Sequence, residues 1–135
     1  MTTIKSPQVI IGGTPEALLE FSGNPMNLES LLPADKISNF QATETELNFT
    51  LPRGIRIVLG VEPGEKPGVI RYVSKKGTPI RFHLDIHFEP SASGMTQGQI
   101  VCEADLNPFT KMMAEKPLQA LFDHIAQALV TKFPV

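Results

Sequence analysis

At 135 residues the chain has the length of one ordinary domain, enough to bury roughly two-thirds of its unfolded surface without disulfides or metals. Its 12 Lys+Arg against 14 Asp+Glu give a net charge of −2, which offers no electrostatic footprint for nucleic acid or an anionic membrane. The single cysteine, Cys102, excludes an intrachain disulfide; MTTIKSPQVIIGG lacks the apolar core of a signal peptide, and no apolar run approaches the roughly 20 residues that span a bilayer. The expectation is one cytoplasmic domain over residues 1–135, with a small molecule or a protein as partner.

The first extended segment is Lys5 to Ile11. In GGTPEALLEFSGNPMNLESLLP, Thr14 caps a short helix with Pro15 at its first position, Gly23-Asn24 stops it, and a second short helix runs from Pro25 to Leu32. The pair has the outline of a helix-turn-helix but almost no positive charge, which argues against DNA as its target.

From Ile37 to Leu106 the pattern turns to period two, and turn residues recur at the spacing of consecutive antiparallel strands. Six strands are predicted: Ile37 to Thr43, Glu46 to Leu51, Ile55 to Glu62, Val69 to Lys75, Ile80 to Glu89 and Thr96 to Asp105. Short connections, including the turn-rich Gly64-Glu65-Lys66-Pro67-Gly68, imply a meander. In IRFHLDIHFE, Ile80, Phe82, Leu84, Ile86 and Phe88 face one way and Arg81, His83, Asp85, His87 and Glu89 the other, so one face is covered and one is wet. Gly60 and Gly98 inside strands suggest bulges or bends in a curved sheet.

Asn107-Pro108 then opens a helix that runs to about Phe133. Ala114, Leu118, Leu121, Phe122, Ile125 and Leu129 form one apolar stripe, while Phe109, Met112 and Met113 fall partly off it. Pro117 lies between the two sets. An interior proline costs about 3 kcal/mol, and the expected return is a kink that bends the helix along the curved sheet and turns the first half back toward the protein.

This order of elements covers the whole chain. It resembles the START-like, or Bet v 1-like, helix-grip fold of the SRPBCC superfamily, an α+β architecture in which a curved antiparallel sheet, here of about seven strands, wraps around a long C-terminal helix. SNFQATETELNFT and ADLNPFTKMMAEKPLQALFDHIAQAL are most similar to short bacterial members of the polyketide cyclase-like group. The resemblance implies an apolar cavity between sheet and helix. The superfamily includes sterol and lipid carriers, plant hormone receptors, aromatases and cyclases, and co-chaperones.

Within that frame the cavity-lining candidates are the inward strand residues Phe82, Leu84, Ile86 and Cys102, with Pro117 and Leu121 on the helix. Met26, Phe109, Met112 and Met113 join them, because flexible, polarizable side chains suit varied apolar guests and the resemblance places the first half of the helix beside the cavity. Tyr72 either meets a ligand's polar end or satisfies itself against backbone or water. Cys102 reads as a small buried hydrophobe and His124 as a boundary residue of the helix stripe. His83 and His87 stand about 13 Å apart along one strand, too far to share an ion, and a His83–Asp85 site would need a neighbouring strand to complete it. Arg56 and Arg71 alternate outward as surface charges. No metal, nucleotide or flavin motif is present, so no cofactor and no catalytic residue is expected.

The favoured function is binding of a small hydrophobic molecule, lipid-like or aromatic. The alternatives are a cyclase- or aromatase-like enzyme built on Tyr72, His124 and Cys102, and a dry-core module that binds another protein. The sequence leaves a homodimer open.

Overall fold

The computed structural model describes residues 1–64 and 66–135; Glu65, in the predicted Gly64–Gly68 connection, lies outside the described residues. The chain forms β1 (Thr2–Lys5), β2 (Val9–Ile11), helix α1 (Pro15–Ser22), a 3-10 helix (Pro25–Leu31), β3 (Ser38–Ala42), β4 (Glu46–Leu51), β5 (Ile55–Pro63), β6 (Val69–Ser74), β7 (Arg81–Pro90), β8 (Thr96–Asp105) and helix α2 (Pro108–Lys132). The strands make one curved antiparallel sheet in the order β1-β8-β7-β6-β5-β4-β3, with β2 pairing β8 beyond β1.

Three helix starts follow from side-chain caps. Thr14 Oγ1 accepts from the Ala17 amide at 3.2 Å and Asn24 Oδ1 from the Met26 amide at 3.1 Å, each ahead of a proline whose missing N–H leaves no orphan donor. At α2 the cap is reciprocal: Asn107 Oδ1 accepts from the Thr110 amide at 2.8 Å, and Thr110 Oγ1 accepts from the Asn107 amide at 2.9 Å. The second short helix is 3-10 rather than α.

The predicted first strand, Lys5 to Ile11, is two strands, which raises the sheet from about seven to eight. Pro7 has no amide to give the ladder, so pairing must break there. Ser6 carries the register across the break. Its amide donates to the Ile100 carbonyl at 2.9 Å, and its buried hydroxyl accepts from the Ile100 amide at 2.9 Å, standing in for a strand carbonyl.

Gly60 and Gly98 do not mark bulges. The pairings Glu46↔Gly60 and Phe88↔Gly98 sit in unbroken register, and what fills the space above each glycine is a neighbouring side chain, the Lys75 stem over Gly60 and Ile11 over Gly98. The register shift falls instead in β3, between Ser38 and Gln41, where Asn39 has a φ of 56°.

The concave face carries the core. Ile80, Phe82, Leu84, Ile86 and Phe88 are buried from β7 and its approach, Ile100, Cys102 and Ala104 from β8, and Leu47, Phe49, Ile57 and Leu59 from β4 and β5. Onto them α2 presses the predicted stripe of Ala114, Leu118, Leu121, Phe122, Ile125 and Leu129, all buried, with Ala126 added. Helix α1 is tied to the sheet by Tyr72, whose hydroxyl donates to the Ser22 carbonyl at 2.6 Å. At the other end the Gly12 amide donates to the Phe133 carbonyl at 2.7 Å, and the Phe133 ring meets Phe21 edge-on at 5.1 Å.

Candidate functional site

Between sheet and helix the interior is packed. An interior space bounded by residues such as Leu47, Phe49, Ile86, Leu121 and Ile125 measures about 10 Å³, the lower limit for one water. A groove of about 480 Å³ runs between the turn after the 3-10 helix (Pro33, Asp35, Lys36), the end of β4 (Leu51, Pro52) and one face of α2.

That face is set by helical spacing: Pro117, Ala120, Leu121 and His124 recur at i, i+3, i+4 and i+7 and line the groove together. The opposite wall is held by buried Leu31, Leu32 and Pro33, and the Pro33 carbonyl accepts from the Lys36 and Ile37 amides at 2.9 and 3.1 Å to fix the turn. The lining is apolar along Pro33, Leu51, Pro52, Pro117 and Leu121, with Asp35, Lys36 and His124 as its charged or titratable members. Among the described residues, Leu121 is the one that borders both the groove and the interior void.

Of the residues named from sequence, Pro117, Leu121 and His124 line the groove. Phe82, Leu84, Ile86 and Cys102 are buried in the packed core. Met26, Phe109, Met112 and Met113 are at the surface, with exposures of 47, 66, 77 and 45%. The expectation that the Pro117 kink returns the first half of α2 to the protein is therefore overturned. The buried stripe starts at Ala114, and the turns before it overhang the core. Sequence reasoning missed Pro33, Asp35, Lys36, Leu51, Pro52 and Ala120 as groove members. The helical spacing from Pro117 was a readable signal, but the approach of the loop and of β4 to that face is long-range.

The polar residues are committed elsewhere. Tyr72 is fully buried on the Ser22 carbonyl, and burial holds its phenol well above the usual tyrosine range. The Cys102 thiol is pushed up to about 12, first by burial and then by the negative charges of Glu103 and Asp85, so it is not a nucleophile at neutral pH. On the convex face Asp85 is held by Arg71 through two contacts, Nε at 2.7 Å and Nη2 at 2.9 Å. Arg56 donates to Asn48 Oδ1 at 3.1 Å. Among the described residues no cluster of three or more His, Cys, Asp or Glu is placed to hold a metal, and no helix is long and apolar enough to cross a membrane.

A curved antiparallel sheet gripping a long C-terminal helix is the START-like, Bet v 1-like architecture, and solved structures match it over nearly the whole chain. XoxI from Bacillus cereus is similar at a TM-score of 0.75 and 17% identity, covering 98% of this chain and 96% of its own. A START superfamily protein from Mycobacterium smegmatis is similar at 0.67 and 14%, covering 97% and 96%. A point mutant of norcoclaurine synthase from Thalictrum flavum, solved with a transition-state analogue, is similar at 0.65 and 13%, covering 98% of both chains. Such identities establish the helix-grip fold and leave function to the site. No protein-family model matches the chain, and no curated protein matches it in sequence.

Proposed function

We propose that this protein acts as a single START-like domain that binds a small hydrophobic molecule, lipid-like or aromatic, at the junction of sheet and C-terminal helix. The observation that carries this reading is the groove of about 480 Å³ between Leu51-Pro52, the Pro33–Lys36 turn and α2, within the size range of small-molecule sites and mostly apolar. Because the interior is filled, the guest lies along the groove, and only displacement of Leu121 admits any part of it further. Two structural neighbours support the reading by analogy of fold, a START superfamily protein and a norcoclaurine synthase point mutant in complex with a transition-state analogue.

The test is native mass spectrometry of the purified protein, followed by thermal unfolding with uncharged probes such as 1-decanol and naphthalene. A ligand at 100 times its Kd stabilises the folded state by about 2.7 kcal/mol, which a melting curve resolves. Ala120→Trp, at an exposed position on the groove wall, should abolish the shift without disturbing the core. No bound mass and no shift with any probe refutes the reading.

A protein-interaction module is the second reading, favoured by the filled interior together with exposed Phe109, Met112 and Met113 on adjacent turns of one helix. Light scattering after size exclusion tests its simplest form, a homodimer: a doubled mass that reverts in a Phe109→Ser/Met112→Ser variant supports it, and a monomer refutes it.

A further inference from the structure

The net charge of −2 conceals a division that the fold makes visible. Each strand of the meander is antiparallel to its neighbours, so β4, β6 and β8 run the same way and the connections that leave them lie at one end of the sheet. The hairpin after β4 carries Arg53 and Arg56, and the connection after β6 carries Lys75 and Lys76 and leads into Arg81. Helix α2, which follows β8, adds Lys111 and Lys116 in its first three turns. All of these cations are exposed. Among the described residues two carboxylates accompany them: Asp105 stands opposite Arg81 across β7 and β8, and Glu115 lies 3.9 Å from Lys111. Asp35 and Lys36, in the turn that leads to β3, offset one another. The opposite end of the sheet has the reverse sign, with exposed Glu44, Glu46, Glu62 and Glu89 against Lys66 among the described residues.

The basic end also exposes apolar side chains that the core does not claim. Phe109, Met112 and Met113 recur at i, i+3 and i+4 on the overhanging turns of α2, and Lys116 continues that face at i+7. A helix face of exposed aromatic and thioether side chains bordered by lysines suits a layer that is apolar within and anionic at its surface. A nucleic acid backbone would use the cations alone and leave Phe109 and Met112 in water.

From this complementarity we propose that the basic end of the molecule docks on an anionic lipid bilayer. Phe109, Met112 and Met113 enter the interface, Lys111 and Lys116 reach the headgroups beside them, and the cations of the two strand connections meet the same surface. The contact is peripheral, and it stands whether or not the groove holds a guest.

The test is cosedimentation of the purified protein with vesicles of phosphatidylcholine alone and of equal parts phosphatidylcholine and phosphatidylserine. The protein should sediment with the mixed vesicles in preference to the neutral ones, and the bound fraction should fall as salt is added. Lys76→Gln/Lys116→Gln, which takes one charge from each of two elements, should weaken partitioning by about thirtyfold, at about fivefold for each lysine near such a surface. Phe109→Ser/Met112→Ser, with every charge intact, should weaken it by about tenfold or more. Lys66→Gln, at the opposite end, should leave it unchanged. No sedimentation with the mixed vesicles overturns the proposal, as does binding that both double variants leave unaltered. A loss in Lys66→Gln as large as that of one lysine at the basic end would make the effect one of overall charge and overturn it too. Heparin binding that exceeds vesicle binding and survives Phe109→Ser/Met112→Ser assigns the basic end to a polyanion instead. A stable dimer that reverts in Phe109→Ser/Met112→Ser places a second copy on the apolar face, and either result overturns the membrane assignment.

Discussion

Removing one oxygen from Tyr72 tests how α1 is held to the sheet. The hydroxyl is fully buried and donates at 2.6 Å to the carbonyl of Ser22, at the last residue of α1, where the helix supplies no further amide. Tyr72→Phe removes the hydrogen bond and strands that acceptor in an apolar setting. The net bond contributes about 1 kcal/mol and the stranded carbonyl costs about 1 kcal/mol more, so at pH 7 the variant should be less stable by about 2 kcal/mol. At the usual entropy of unfolding for a chain this long, that corresponds to a fall in Tm of roughly 7 °C. The alkaline limb gives a second, independent readout. Burial raises the folded-state phenol above its unfolded value of 10.0, so the folded state holds the proton that the unfolded chain releases. Stability is therefore fully present below pH 10 and declines as pH rises above it, by about 1.4 kcal/mol at pH 11. Phenylalanine has no such proton, and the contribution of Cys102 is common to both proteins and cancels. The gap between wild type and variant should shrink from about 2 kcal/mol at pH 7 to under about 1 kcal/mol at pH 11. Urea unfolding followed by far-UV circular dichroism at the two pH values measures it. A variant as stable as wild type at pH 7, or a gap that does not close at pH 11, refutes the reasoning.

Two further perturbations probe the ends of the core. Because the Cys102 thiol is buried and pushed up to about 12, it should resist alkylation at pH 8 in the folded protein. Its labelling should track global unfolding as urea is added, and rapid labelling of the native protein would contradict this placement. A Cβ at Gly12 would meet the Pro134 carbonyl oxygen, so Gly12→Ala should push Phe133 away from Phe21 and cost about 1–3 kcal/mol. Hydrogen exchange localises the loss to the C-terminal turn of α2 and β2, and unchanged protection there would show that the tail does not brace the sheet.

The architecture was legible because its elements announce themselves locally. IRFHLDIHFE alternates strictly, and all five of its inward residues are buried. Asn107-Pro108 starts the last helix where a cap with proline should, and the stripe from Ala114 to Leu129 faces the core as its spacing requires. The errors arose where local chemistry was read one step too far. Pro7 splits a segment whose apolar residues look continuous, and the serine before it, bonded to Ile100 across the sheet, carries the register between the two pieces. Gly60 and Gly98 accommodate neighbouring side chains rather than bulges, which no one-dimensional pattern encodes. The groove was least legible of all, since it depends on Pro33–Lys36 and Leu51-Pro52 approaching α2 across long sequence separations.

Pro117 is where these threads meet. Proline at that position leaves the Met113 carbonyl without its helical donor, yet Met113 is 45% exposed and belongs to the overhanging turns, so water can take the acceptor. The residue therefore costs less than an interior proline normally does, and what it supplies is a rigid apolar wall in the groove, with no side-chain entropy to lose when a guest covers it. Replacing it separates these effects. Pro117→Ala restores the Met113 hydrogen bond and the helix propensity of the site, worth up to about 3 kcal/mol, against about 1 kcal/mol returned to the unfolded chain, so the variant should be more stable by about 1–2 kcal/mol. The same change removes groove lining, and the thermal shift produced by 1-decanol should fall. A proline kept for the fold alone predicts the reverse: a variant that is less stable, with its groove unaltered. Chemical denaturation with and without 1-decanol distinguishes the two, and a destabilised variant that keeps its full ligand shift would return Pro117 to a purely structural role.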